Sequence, residues 1–289
     1  MIRILPFLFI VFIPLVCFTQ DPPLPTIPPV VYPSLLQDQM IVAYYGSPKS
    51  KKMGILGEQS LEETGRLLKI QASEWDGLNG EQKVLPALHL IYATIWPDGN
   101  LGILPDSTVQ AYVEYAAKNS MIVVLDHQLG KYAPVEAVRS MLKWLKYPQV
   151  HLAVDPEWKT ENPGLEIGTV KASDINDIQK LMQDFLIQEN IMQKKILIVH
   201  QFHYKMISDR DQVRSDFERI DLIHHIDGFG APGLKKTIYA AMSRTPNLPI
   251  KGFKLFLPKS WKIAGFDIPM LTPTQVLGLT PKPVYISYQ

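Results

Sequence analysis

The chain has 289 residues, 46% of them hydrophobic and 10% aromatic, enough to bury one large core or two small ones. Its 29 basic and 28 acidic residues leave a formal charge of +1, with no stripe of clustered Lys and Arg to displace counterions, which excludes nucleic acid as a partner. Cys17 is the only cysteine, so no disulfide forms within the chain and stability must come from the core.

The first stretch, MIRILPFLFIVFIPLVCFTQ, carries one early positive charge, Arg3, ahead of an apolar run from Ile4 to Phe18. That run is shorter than the roughly 20 residues that span a bilayer and is interrupted by Pro6 and Pro14. It predicts an export signal over residues 1–20, with an uncleaved membrane anchor as the alternative. Cys17 stands where exported lipoproteins are acylated, yet Val16 fills a position that usually holds Gly, Ala or Ser. Lipidation of Cys17 and ordinary cleavage near Thr19 or Gln20 both stay open, and the mass of the mature protein separates them. DPPLPTIPPVVYP, residues 21–33, contains six prolines and reads as a semi-rigid polyproline spacer. The expected organisation is an export signal (1–20), a linker (21–39) and one folded domain (40–289). The expected location is the extracytoplasmic side of a bacterial membrane, secreted or lipid-anchored.

From residue 40, short β-rich runs alternate with helical patterns. Strands are predicted at 40–46, 84–93, 121–126, 150–155, 195–200, 221–227, 252–257 and 283–288, and helices at 61–75, 107–119, 134–145, 172–190, near 208–219, at 233–244 and at 272–279. Apolar runs such as IVVL and ILIV suit strands covered on both faces, as in parallel sheets. Eight such units predict a (β/α)8 barrel of the TIM type without its last helix, and VVYPSLLQDQ is expected to cover the gap. The alternative is an open doubly wound sheet, but no G-x-G-x-x-G turn follows the first strand.

In such barrels the reacting groups gather where strands end. Those ends carry Tyr45 and Ser47, Tyr92, Asp126 and Gln128, Asp155 and Glu157, His200 and Gln201, Asp227, Lys254 and Tyr288. Alternation sharpens the reading: His151, Ala153, Asp155 and Glu157 share one face of the fourth strand, while Leu152 and Val154 suit the helix layer. Asp126 with Gln128, and Asp227 with His225, repeat the pattern. Carboxylates converging on one pocket raise one another's pKa, so that one donates a proton near neutral pH while another stays ionised, as glycoside hydrolysis requires. Glu157, beside Trp158, is the expected proton donor; Asp155 or Asp227 is the second carboxylate, and Asp126 tunes the pair. Asp-Pro-Glu is equally a turn sequence in which Asp155 caps the loop.

Tyr45, Tyr92, Gln128, Trp158, His200, Gln201 and Lys254 are the expected substrate-binding residues. His200 and His203 in KILIVHQFHYKM could bind a metal with Asp126 or Asp155, but a lone His200 orienting a carboxylate is the preferred reading, so no metal or cofactor is expected. His224 and His225 read as satisfied buried histidines. Lys254 could neutralise developing charge or form a plain ion pair. Gly228 and Gly230 allow close backbone approach to a ligand, weakly suggesting a phosphate cradle. Trp96, Trp158 and Trp261 follow strands two, four and seven, where aromatic rings would serve carbohydrate binding, and the run Lys49, Lys51, Lys52 reads as a solvated loop.

The strings LDHQLG, HLAVDPEW, IGTVKASDIN, KKILIVHQFHYKMISDRD, HIDGFG and MLTPTQVLGLTPKPVYISYQ resemble, in the same order from about residue 84 to the end, a family of exported bacterial proteins filed as lipoproteins. The resemblance implies a barrel and lipidation at Cys17, maps onto Asp126, Gln128, Asp155, Glu157, His200, Gln201 and Asp227, and names no reaction. Three readings therefore stand: a hydrolase acting on a glycan or other small polar substrate, a metal-dependent hydrolase, and a non-catalytic binding protein of the cell envelope.

Overall fold

A computed structural model describes residues 31–259 and 265–289; the export segment, Cys17, most of the proline-rich stretch and Trp261 lie outside the described residues. Eight strands form where the apolar runs predict them: β1 (Gln39–Ser47), β2 (Lys83–Ile95), β3 (Ile122–Gln128), β4 (Val150–Asp155), β5 (Lys195–Gln201), β6 (Ile220–Ile226), β7 (Lys251–Leu255) and β8 (Tyr285–Tyr288). Each pairs in parallel with the next, and β8 returns to β1 from Ile41 opposite Tyr285 to Tyr44 opposite Tyr288. The sheet is thus closed into a (β/α)8 barrel, and the open alternative is excluded. Closure pairs every strand on both sides and leaves no barrel edge to protect.

Alternation divides the core in two. Outward residues such as Leu88, Leu90, Val123, Leu125, Leu152, Val154 and Leu197 join the helix layer. Inward residues form a second cluster in which small Ala43, Ala87 and Ala153 interleave with Ile41, Ile122, Ile196, Ile198 and Ile223. Interleaved sizes fill the narrow interior, so the lower half of the barrel is solid.

The helices are α1 (Leu61–Asp76), α2 (Asp106–Lys118), α3 (Pro134–Arg139), α4 (Ala172–Gln188), α5 (Pro232–Met242) and α6 (Pro273–Leu277). Local chemistry starts several of them. Ser60 Oγ accepts from Glu63 N at α1, and Thr272 with Gln275 forms a capping box at α6. None of the described helices is long and apolar enough to cross a membrane.

Two expectations are corrected. Residues 208–219 form no α-helix, only a 3-10 turn at Arg210–Gln212 entered through Asp209 at φ 51°. The segment has only Val213 and Phe217 as large apolar residues, too few for a helical stripe. Its carbonyls instead accept from neighbouring side chains: Asn247 donates to Arg210 and Val213, Asn176 to Gln212, and Gln179 to Arg214.

The segment before β1 does not stand in for a missing helix. Leu35 and Leu36 pack against the inner cluster and seal the N-terminal end of the barrel. Lys194 N donates to Pro33 O, Arg219 donates to the Tyr32 hydroxyl, and Ser34 Oγ donates to Asp221. Residues 32–38, assigned to the spacer on composition, therefore belong physically to the barrel. The outer face of β8 is met by α1, whose Trp75 Nε1 donates to the Tyr288 hydroxyl at 2.9 Å inside the core.

Candidate active site

The inward face of each strand changes from apolar to ionisable toward the C-terminal end, and there a cavity of about 720 Å3 opens. β4 shows how one stretch builds its wall. His151, Ala153 and Asp155 point inward by alternation, and Pro156, lacking an N–H for the ladder, ends the strand and starts the 3-10 turn Pro156–Trp158. Asp155 Oδ1 accepts from Glu157 N at 3.1 Å, so Asp155 caps this turn while its side chain also faces the cavity. The turn is pinned from outside by Gly168 N donating to Glu157 O at 2.7 Å and Gly130 N donating to Trp158 O at 2.8 Å. A Cβ at Gly168 would run into the backbone of Pro156 and Lys159, which is why glycine sits there.

Burial, with Asp227 adding to it, raises the Glu157 carboxyl from 4.5 to about 7, while Lys254 and His200 oppose the shift. Burial pushes Asp155 well above the carboxylate range, opposed by His200 and reinforced by Glu157, Asp227 and Asp126. Asp227 faces donors instead: His200 Nδ1 lies 2.9 Å from its Oδ2 and Lys254 Nζ 3.9 Å away. Lys254 Nζ also sits 3.7 Å above the Tyr45 ring centre, a cation–π contact that fixes the ammonium at the cavity floor. The Tyr45 hydroxyl is pushed well above 10 by burial and then by Asp126, Asp155 and Asp227.

Beneath that floor lies a fully buried layer. Asp126 Oδ2 is 3.3 Å from His200 Nε2 and 3.4 Å from His89 Nε2. Against the burial that would raise it, His200 and then His89 hold Asp126 below the usual carboxylate range. Against the burial that would lower it, Asp126 and then Asp227 raise His200 to about 10. His89 is lowered to about 4 by burial, with Asp126 opposing. Both histidine contacts are long for charged hydrogen bonds, which close to about 2.7–2.9 Å, and the Tyr45 hydroxyl also reaches the Asp126 carboxylate from the cavity side.

Of the residues expected from sequence, Tyr45, Gln128, Asp155, Glu157, Trp158, Asp227 and Lys254 line the cavity. Gln128 is held by accepting from Ile95 N at 2.9 Å. Asp126 and His200 lie below the lining, in contact with it through Asp227.

Three residues, Tyr92, Gln201 and Tyr288, are misplaced by the strand-end reading. Tyr92 joins the helix-layer core, on the outward parity of Leu88 and Leu90, where the ladder to β3 slips between Ile91 and Ala93. Gln201 also faces outward because His200 faces in; it accepts from Arg210 at 3.0 Å, lies 2.8 Å from His224 Nε2 and donates to His203 O. His203 is exposed and caps the turn at Tyr204–Met206, so it cannot ligate with His200. Gly230 N donates to Asp267 Oδ1, which occupies the N–H that a phosphate cradle would need. Tyr288 is likewise turned outward to Trp75.

Sequence reasoning missed His89 and Tyr285, whose hydroxyl lies 2.8 Å from His89 Nδ1, and Ser287, 2.8 Å from His225 Nε2. The alternation Ala87, His89, Ile91 against Leu88 and Leu90 was the available signal for His89. Ile91, Ile95, Phe202 and Phe256 supply an apolar wall, while Trp96 and Phe229, 48% and 51% exposed, stand at the rim with Trp158.

No family profile matches the sequence, and no curated protein matches it. Among solved structures, a glycoside hydrolase family 5 enzyme from Prevotella bryantii is 10% identical with a TM-score of 0.46, covering 90% of this chain and 92% of its own. A Burkholderia cenocepacia protein described as a phosphonomutase is 10% identical with a TM-score of 0.45, covering 86% of each chain. A chitinase from Rhizomucor miehei is 14% identical with a TM-score of 0.42, covering 76% of this chain and 71% of its own. Likeness this distant, spread over unrelated chemistries, distinguishes no reaction. The chain's own strand pairing makes it a (β/α)8 barrel, and its own side chains make the C-terminal mouth an acid-lined pocket.

Proposed function

We propose that this protein hydrolyses glycosidic bonds, with Glu157 as proton donor and Asp227 as the second carboxylate. The observation that carries the reading is that Glu157, with its pKa raised to about 7, faces the same cavity as Asp227, whose carboxylate receives the His200 Nδ1–H. A carboxyl raised toward neutrality and facing the same cavity as a second carboxyl is what cleavage of an acetal needs. Glu157 protonates the leaving oxygen as the bond to the anomeric carbon breaks. Asp227, held by His200 and Lys254, either attacks that carbon or takes a proton from the attacking water. Asp155, pushed by burial toward its acid form, caps the turn that carries Glu157 and is the less suited of the two to act as base. Trp96, Trp158 and Phe229 offer flat apolar faces for sugar rings around a polar floor, the division of labour usual in small-molecule sites.

The test is release of reducing ends from a panel of cell-envelope and plant glycans by the wild type and by Glu157→Gln, with binding followed calorimetrically. Loss of the acid should reduce turnover by roughly 10²–10⁴-fold while binding persists. Equal hydrolysis by the two proteins would remove Glu157 from the chemistry. Glycan binding by the wild type with no cleavage of any member would make the barrel a binding protein.

A further inference from the structure

Beneath the cavity floor, three side chains from three strands converge on one another at distances longer than a charged hydrogen bond. His89 from β2, Asp126 from β3 and His200 from β5 are all fully buried, and one ligand atom from each lies within 4.8 Å of the others. Neither imidazole Nε2 makes a well-formed hydrogen bond among the described residues. Under-satisfied polar atoms at this depth are costly, and one from each of three residues gathered in one place calls for a common partner.

The spacing says what kind of partner. A charged N–H···O⁻ hydrogen bond closes to about 2.7–2.9 Å, whereas His200 and His89 stand 3.3 and 3.4 Å from Asp126 Oδ2. Ligand atoms bound tetrahedrally at about 2.0–2.1 Å are themselves about 3.3–3.4 Å apart. The far sides of both rings are already engaged, as the rings of metal-bound histidines are. His200 Nδ1 lies 2.9 Å from Asp227 Oδ2, and His89 Nδ1 lies 2.8 Å from the Tyr285 hydroxyl. With Nδ1 protonated on each ring, both Nε2 lone pairs are directed at the same space.

We propose that His89 Nε2, His200 Nε2 and an Asp126 oxygen bind one divalent transition-metal ion beneath the cavity floor. Two imidazole nitrogens and one carboxylate suit zinc and its first-row neighbours and not magnesium or calcium, which take oxygen ligands. None of the three ligands lines the cavity, so the ion is a positioning element rather than a reacting centre. It ties β2, β3 and β5 together and, through the His200 Nδ1–H, fixes where Asp227 points. The inference stands apart from the glycosidase reading, because metal binding is measured without any glycan.

The experiment uses untagged full chain, stripped with chelator, dialysed and titrated with zinc chloride by calorimetry, with bound metal counted by elemental analysis. One equivalent per chain is expected. Tyr285→Phe, which removes only the hydroxyl behind His89, should weaken binding about 10–100-fold, and His89→Ala should abolish it. A wild type that takes up no stoichiometric zinc overturns the proposal and leaves a proton on His200 as the charge between the carboxylates. Zinc binding unchanged in Tyr285→Phe overturns it equally, by placing the ion elsewhere, so the test survives if His89→Ala does not fold.

Discussion

Glu157 can donate a proton only while it holds one, and the depth at which it sits decides when that is. Its pKa lies above the ordinary carboxyl value, at about 7, so the acid form dominates below that pH and is lost above it. The expected kcat/KM profile on a cleaved glycan therefore has a basic limb centred near 7, falling about tenfold per pH unit beyond it. A profile flat from pH 5 to 9 would contradict the assignment of Glu157 as donor. Sequence pattern located the acids well, since Asp155, Glu157 and Asp227 stand at strand ends with inward parity. It could not rank them. The protonation of Asp155 and Glu157 depends on how deeply each is buried and on which charged groups reach it from neighbouring strands, such as His200 and Lys254. Tyr92 shows the opposite: it lies near a strand end, yet its even parity with Leu88 and Leu90 points it outward.

At the scale of elements, β7 is shaped by what β6 places inside the barrel. The His225 ring leans toward Gly252, where any Cβ would run into its Nδ1, while Nε2 is held by the Ser287 hydroxyl at 2.8 Å on β8. Gly252→Ala must displace that ring in a filled interior, at a cost of about 1–3 kcal/mol. A lower denaturation midpoint with an unchanged denaturant slope is the expected result; a midpoint equal to wild type would show that the ring has room to move. The strands were legible because parallel strands covered on both faces are continuous apolar runs, and the long helices because their apolar stripes are strong. Residues 208–219 looked helical only by analogy with the other units. A stretch with two large apolar residues lacks the face that makes a helix pack, and side chains from α4 and from Asn247 satisfy its backbone instead.

Over the whole molecule, the barrel is graded along its axis. Leu35 and Leu36 close the bottom, an apolar layer of alanines and isoleucines fills the lower interior, a buried ionisable layer follows, and the cavity opens above it. The closed sheet lets eight strands contribute to that gradient at once, which is why the acid mouth, with Asp126 and His200, is legible from strand ends while His89, placed early in its strand, is legible only through its parity with Ala87 and Ile91. A histidine inside an apolar run looks like core until the opposing strands are known. Proton donation by Glu157 depends on its being an acid near neutrality because it is buried beside Asp227. The most direct measurement is the titration of the Glu157 side-chain carboxyl by carbon-13 NMR, assigned with Glu157→Gln, in the wild type and in Asp227→Asn. A midpoint near 7 that moves down in Asp227→Asn is expected; a midpoint near 4.5, or one that ignores the Asp227 substitution, would remove Glu157 as the proton donor.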